Sequence, residues 1–155
     1  MEFSIRPLAP EDAEDVEQLY QQSAAYLRSV GDKSDFQFNA DVFRRDGFSK
    51  PPAFSGIGAV RNGELIGYLL YTFGYDTDRA IRYLFVLDLL VDQAVRLQGI
   101  GKALMGKAAS LCKEAGGREL FWAVYVKNEP ASNFYGRLGA EEIHDLQFMR
   151  LKIDR

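Results

Sequence analysis

The sequence predicts a mixed α/β (α+β) fold, a mostly antiparallel sheet flanked by helices on both faces. Three observations carry that expectation. First, Arg61-Asn62-Gly63-Glu64 joins two β-rich runs, 56–60 and 65–73, and Asn-Gly favours the tight turn of an antiparallel hairpin. Second, the run at 82–91 is nearly continuously apolar from Leu84 to Val91, as in a strand covered on both faces, and only Asp88 interrupts it. Third, a helical pattern at 99–115 separates that run from another at 119–126, so these two strands should lie parallel.

The elements follow in chain order. Residues 3–6 read as a short strand, and Pro10-Glu11-Asp12 opens a helix with acid in its first turn, where the helix dipole favours negative charge. Val16, Leu19, Tyr20 and Leu27 give that helix an apolar stripe, and Gly31 marks its end. A second helix is expected at 39–45, within irregular chain closed by Pro51-Pro52. The hairpin and the apolar strand come next. Ile100, Ala103, Leu104, Ala108, Leu111 and Cys112 then recur at helical spacing until Gly116-Gly117 stops the helix. Beyond the strand at 119–126, Asn128 is an N-cap candidate with Pro130 in the first turn, and Ala131, Phe134, Tyr135 and Leu138 form one face before Gly139. Residues 147–153 are expected to form a closing strand.

Composition narrows the function. With 155 residues, 47% of them hydrophobic, the chain can enclose one sizeable core and is too short for two ordinary domains, so one domain, 1–155, is expected. Nineteen Lys+Arg against 22 Asp+Glu give a charge of −3, which supplies no excess to draw the protein to nucleic acid or to an anionic membrane. One cysteine, Cys112, and one histidine, His144, leave no disulfide framework and no Cys/His metal cluster, which fits a reducing cytoplasm. No apolar run approaches the roughly 20 residues of a membrane span, and the start, Met1-Glu2-Phe3-Ser4, lacks the apolar core of a signal peptide. A soluble, cytoplasmic protein is expected.

The spacing that carries chemistry is Arg96-Leu97-Gln98-Gly99-Ile100-Gly101-Lys102, between a buried strand and a helix. Glycines at 99 and 101 clear side chains from the turn, so N–H groups at the helix start can approach an anion such as a pyrophosphate, with charge from Arg96 and Lys102. Two glycines can also simply shape a turn. A dinucleotide fingerprint would need a small residue where Leu104 stands and an acid at the end of the next strand, whereas Glu119 opens it. On its own the turn leaves these readings open.

Beyond the turn, the chain resembles the GNAT N-acetyltransferase superfamily, whose signature Gln/Arg-x-x-Gly-x-Gly/Ala stands here as Arg96-Leu97-Gln98-Gly99-Ile100-Gly101. Phe3-Ser4-Ile5-Arg6-Pro7, Asp46-Gly47-Phe48, Leu87-Asp88-Leu89-Leu90-Val91, Asn128-Glu129-Pro130-Ala131-Ser132-Asn133-Phe134-Tyr135 and Arg150-Leu151-Lys152-Ile153-Asp154 look like its spermidine/spermine (diamine) branch, over nearly the whole chain. The resemblance implies an acetyl-CoA-dependent N-acetyltransferase with the GNAT-type sheet, acting on a small-molecule amine by direct attack in a ternary complex, with no metal. It implies that backbone at Leu89, Leu90 and Val91, after a bulge, pairs with the pantetheine arm. Arg96, Leu97, Gln98, Gly99, Ile100, Gly101 and Lys102 would hold the pyrophosphate, and Asn128, Pro130, Ala131 and Asn133 would touch coenzyme A further along. Tyr135 would be the general acid. Its chemistry suits that role, since a phenol can protonate a departing thiolate, although spacing alone also fits one more aromatic beside Phe134 and Leu138. The branch also implies a homodimer, with Phe36, Phe38 and Phe48 as interface or core residues.

Two acids of the diamine branch are missing: Leu87 stands where its strand carries Glu, and Leu27 follows Tyr26 where a second carboxylate is expected. Asp88 then becomes the candidate base, because an acid in an apolar strand must find a partner or shift its pKa upward; a salt bridge or backbone hydrogen bond is the plainer reading. Tyr26, Asp76 and Leu87 are candidate acceptor contacts, with Asp76 and Asp78 expected in a loop. The sequence leaves open a protein N-terminus or lysine as acceptor, and a non-catalytic coenzyme A-binding module.

Overall fold

The computed structural model describes residues 2–153. Five strands form one sheet in the order β1-β2-β3-β4-β5: β1 Ser4–Pro7, β2 Ser55–Arg61, β3 Glu64–Asp76, β4 Ile81–Val91 and β5 Gly117–Phe121. The first three pairings are antiparallel and only β4 with β5 is parallel, as the connecting helix requires. The β2–β3 turn is the one expected: Asn62 and Gly63 have φ of 52° and 79°, the conformation that Asn-Gly adopts most readily.

Four helices, α1 Ala13–Ser29, α2 Ala40–Gly47, α3 Ile100–Glu114 and α4 Glu129–Arg137, join the sheet. Pro10–Asp12 forms a 3₁₀ turn ahead of α1 rather than its first helical turn. Arg6 holds the buried Asp12 carboxylate there at 2.8 and 2.9 Å, and the Ala9 N–H donates to it at 2.7 Å, which keeps that carboxyl below its usual pKa and fixes where α1 begins. Helix α2, expected at 39–45, is capped rather than begun by Asn39, whose side chain accepts from the Val42 N–H at 2.9 Å.

Two apolar clusters sandwich the sheet. On one face Ile57, Leu69, Leu84 and Val86 meet Ile100, Leu104, Met105 and Ala108 of α3. On the other, Leu65, Tyr68, Leu70 and Leu90 meet Val16 and Leu19 of α1 and Phe43 of α2. Phe38 packs edge-on against Tyr20 and Phe43, so it belongs to this second core.

The closing strand expected at 147–153 is absent, and β5 ends at Phe121 rather than continuing to 126. A strand exists only where a neighbour supplies the other half of its ladder. β4 pairs with β5 over four residues, from Arg82↔Gly117 to Phe85↔Phe121, and then leaves it; residues 140–153 find no ladder among the described residues. No helix among the described residues is long and apolar enough to cross a membrane.

Candidate active site

A one-residue irregularity in β4 creates the site. Leu70 lies opposite Asp88, but the next pair is Tyr71 with Val86, so Leu87 is an extra, unpaired residue. Side chains alternate faces along a strand, and one extra residue inverts the alternation. Val86 therefore joins the α3-side core, while Asp88, paired with Leu70 and two residues from Leu90, turns toward α1. Beyond Phe85 the edge of β4 that faced β5 has no strand beside it, which leaves a cleft between the two.

Asp88 sits in this cleft without a counter-charge. No hydrogen bond or ion pair among the described residues reaches its carboxyl, and burial raises its pKa to about 7. Two phenols share its surroundings. Tyr68 is fully buried with a hydroxyl that has no partner, and Tyr20 lies above it on α1; both are pushed above the ordinary phenol value, first by burial and then by the Asp88 charge.

Tyr135 approaches from the opposite wall. Helix α4 is started by Asn128, whose side chain accepts from the Ala131 N–H at 3.3 Å, and it ends before Gly139, where φ is 88°. The Tyr135 ring lies 4.8 Å from Trp122 and 5.3 Å from Phe134. Burial raises its pKa to about 12, and the Asp88 charge adds to the shift, so the phenol lies within the carboxyl's field.

At the start of α3, Gly99 has φ of 82° and Leu97, almost fully exposed, has φ of 66°. The first helical bond runs from the Ala103 N–H to the Gly99 carbonyl at 3.0 Å, so the N–H groups of Ile100, Gly101 and Lys102 point outward without backbone partners among the described residues. Arg96 and Lys102 are exposed beside them, and the Gln98 side chain accepts from Arg61 at 2.9 Å. An anion fits such a turn. The two glycines differ in their reasons. A Cβ at Gly99 would meet nothing within 4 Å, so its positive φ is what favours glycine; a Cβ at Gly101 would lie 3.2 Å from the Phe134 ring. Gly101 thus seats α4, and Tyr135 with it, rather than clearing the anion's approach. Gly101→Val is accordingly expected to cost about 1–3 kcal/mol in urea denaturation, as overpacking does, and to lower turnover by displacing Phe134.

The family model described as acetyltransferase (GNAT) matches residues 13–140. The chain belongs to the GNAT family. It is 29% identical over 119 residues to thialysine N-epsilon-acetyltransferase of Bos taurus, covering 72% of this chain and 69% of that protein. Against the Mus musculus protein of the same name it is 30% identical over 115 residues, covering 69% and 67%. The fold matches an integron cassette protein from the mobile metagenome of V. cholerae with a TM-score of 0.81 at 24% identity, over 99% of this chain and 94% of that one. The mixed, mostly antiparallel sheet is therefore that of the family, and the chain is an N-acetyltransferase; the family draws its acetyl group from acetyl-CoA.

Within this GNAT sheet the remaining candidate residues take distinct places. Leu89, Leu90 and Val91 pair with β3 along one edge, through Leu69, Tyr68 and Gly67, and have their other edge free. Leu87 is exposed at the bulge. Leu27 falls two helical turns after Tyr20, on the stripe facing Asp88, whereas Tyr26 follows Leu19 and Gln22 on the neighbouring stripe. Gln22 anchors that stripe to the chain just after β4 through Asp92 and the Gln93 N–H. Pro130 and Ala131 form the first turn of α4 and Asn133 is exposed on it. Asp76 is not brought to the site. It ends β3 rather than lying in a loop, six residues and about 20 Å of strand from Leu70, where Arg79 binds it at 2.8 Å and lowers its pKa. Sequence reasoning left three neighbours of the cleft unassigned: Trp122, Tyr20 and Tyr68. Tyr20 could have been found from its seven-residue offset to Leu27; nothing local marks the other two.

Proposed function

We propose that the protein transfers the acetyl group of acetyl-CoA directly to a primary amine of a small molecule, with both bound together in the cleft between β4 and β5. The observation that carries this reading is the placement of Asp88, raised by burial, and of Tyr135, raised by burial and by the Asp88 charge, across a cleft with an unpaired strand edge. When bound, acetyl-CoA supplies the activated acyl group, a thioester. The outward N–H groups of Ile100, Gly101 and Lys102, with Arg96 and Lys102 beside them, suit its pyrophosphate, and the free edge of Leu89, Leu90 and Val91 offers backbone partners for its arm.

The chain's own groups then handle the protons. An ammonium of pKa near 10 is under about 1% neutral at pH 7, so a base must free its lone pair, and Asp88 takes that proton directly or through water. A strand N–H at 89–91 steadies negative charge on the acetyl oxygen. The Tyr135 hydroxyl gives its proton to the departing sulfur and regains one from the newly acylated nitrogen, a much stronger acid. Protonation of Asp88 also removes the charge that helps hold Tyr135 up, which eases its donation.

The acceptor we infer is a compact amine of the thialysine kind rather than a polyamine. The Bos taurus and Mus musculus relatives are named for thialysine, and apolar Leu27 and Leu87 occupy positions that would need acids to grip a polycation. Thiol release from acetyl-CoA, measured with thialysine, lysine, spermidine and a lysine-containing peptide, tests it. Turnover is expected to be fastest with the free amino acids. Peptide-only turnover would make a protein the acceptor, and coenzyme binding with no thiol release from any amine would leave a non-catalytic module.

A further inference from the structure

We propose that Arg28 holds the acceptor's carboxylate at the rim of the cleft while Asp88 meets its reacting amine, which makes the acceptor a zwitterionic ω-amino acid; this rests on the small-molecule acceptor proposed above. The juxtaposition behind it is a carboxyl inside the cleft and an uncommitted guanidinium at its mouth. Arg28 is exposed in the last turn of α1, yet it makes no ion pair among the described residues. The acid four residues on, where a partner along the chain would sit, is used elsewhere: Asp32 accepts from the Ser34 N–H at 2.9 Å and from the Ser34 hydroxyl at 2.6 Å.

An aromatic ring positions Arg28 instead. Its guanidinium carbon lies 4.8 Å from the centroid of the Phe36 ring, where cation and ring attract. That ring also meets Tyr20, with centroids 6.5 Å apart, and Tyr20 is the α1 phenol that feels the charges of both Asp88 and Arg28. Phe36 has φ of 51°, a left-handed conformation that strains a bulky residue and persists only where its surroundings demand it. The strain lays the ring between phenol and guanidinium. The other side of the mouth closes at the same place. A Cβ at Gly31 would lie 3.9 Å from the Tyr125 hydroxyl and 3.9 Å from Lys127 Nζ, so the chain between β5 and α4 reaches the end of α1 and brings a second cation to the rim.

The spacing suits a molecule with opposite charges at its two ends. Tyr20 and Arg28 are eight residues apart, about 12 Å along α1, and helical side chains lean toward the N-terminus, which brings the guanidinium back toward Tyr20. A lysine-sized acceptor spans roughly 7–8 Å from amine nitrogen to carboxyl carbon. With its amine on Asp88, its carboxylate reaches the planar fork of Arg28, which matches carboxylate geometry while stacked on a ring. A diamine of the same length would bring a second positive charge against Arg28 and Lys127, so the rim selects against it as well as for the amino acid.

Calorimetry on the coenzyme A-loaded protein tests this with thialysine, lysine, 6-aminohexanoate, which keeps the carboxylate and lacks the α-amine, and cadaverine, which lacks the carboxylate. Wild type is expected to bind the three acids at least about tenfold more tightly than cadaverine. Arg28→Gln should remove that preference by weakening the acids at least about tenfold and leaving cadaverine within about twofold, and Arg28→Lys, which keeps the charge without the fork, should fall between. Steady-state thiol release should show the same loss in KM for the acids, with kcat changed less than about threefold. Binding that follows this pattern without thiol release would retain the carboxylate site and strike acetyl transfer. Wild type that binds cadaverine as tightly as lysine, acids indifferent to Arg28→Gln, an equal loss for cadaverine, or a loss that appears only in Lys127→Gln would overturn the proposal.

Discussion

Tyr135→Phe is expected to lower kcat by about 10²–10³-fold, within the range that a positioned general acid contributes, while KM for acetyl-CoA stays within about threefold. The substitution removes one oxygen and keeps the ring that packs against Trp122 and Phe134, so thermal stability should change little. Its pH signature separates the acid role from packing. With a pKa of about 12, the phenol is protonated throughout pH 6–9, so the loss should be nearly constant across that window. Steady-state thiol release and a melting curve for the same preparation check both halves. A variant as fast as wild type at every pH would assign the proton to another group, and one that melts much earlier would make Tyr135 a packing residue.

Elements specified by adjacent residues were legible in the sequence. Asn62-Gly63 carries its own turn conformation, Asn128 carries its own cap, and the helical period of Ile100, Leu104, Ala108 and Cys112 matches the face that α3 buries. What depends on a partner was not. Alternation at 147–153 was sufficient to suggest a strand, but a strand also needs a neighbour, and this segment pairs with none among the described residues. The resemblance implied a bulge before Leu89, but its position at Leu87 and its effect on facing were not legible, for a related reason. The resemblance tied it only to the pairing of the backbone at 89–91, yet it also places Asp88 on the α1 face, beside Tyr68 and Tyr20. No local signal at Leu87 announces that inversion, because the mismatch is counted between β3 and β4 rather than within either. Gly101 is a similar case: its spacing to Gly99 suggested an anion turn, while the contact that excludes a side chain comes from Phe134, 33 residues away.

Asp88→Asn should produce opposite effects on activity and stability, and that opposition is the stronger test of the site. In wild type kcat/KM is expected to rise with pH through about 7, as the buried carboxyl ionises and becomes able to accept the amine's proton. Binding of a cationic amine favours the carboxylate, so the corresponding limb of kcat should lie at lower pH than that of kcat/KM. Asparagine accepts no proton in this range; both limbs should vanish and the plateau fall by about 10²–10³-fold. Stability moves the other way. The folded chain holds this proton more tightly than the unfolded chain, so the contribution is greatest below the unfolded carboxyl's pKa of about 3.8 and is lost as pH rises through about 7. A carboxyl raised to about 7 corresponds to a penalty of the order of 4 kcal/mol at pH 8–9, where wild type carries a half-buried charge without a partner among the described residues. Asp88→Asn avoids that charge and should unfold at higher denaturant than wild type at pH 8.5, with the difference shrinking toward pH 5. An aspartate retained only for structure would give the reverse, a destabilised variant at pH 8.5 with a pH–rate profile parallel to wild type.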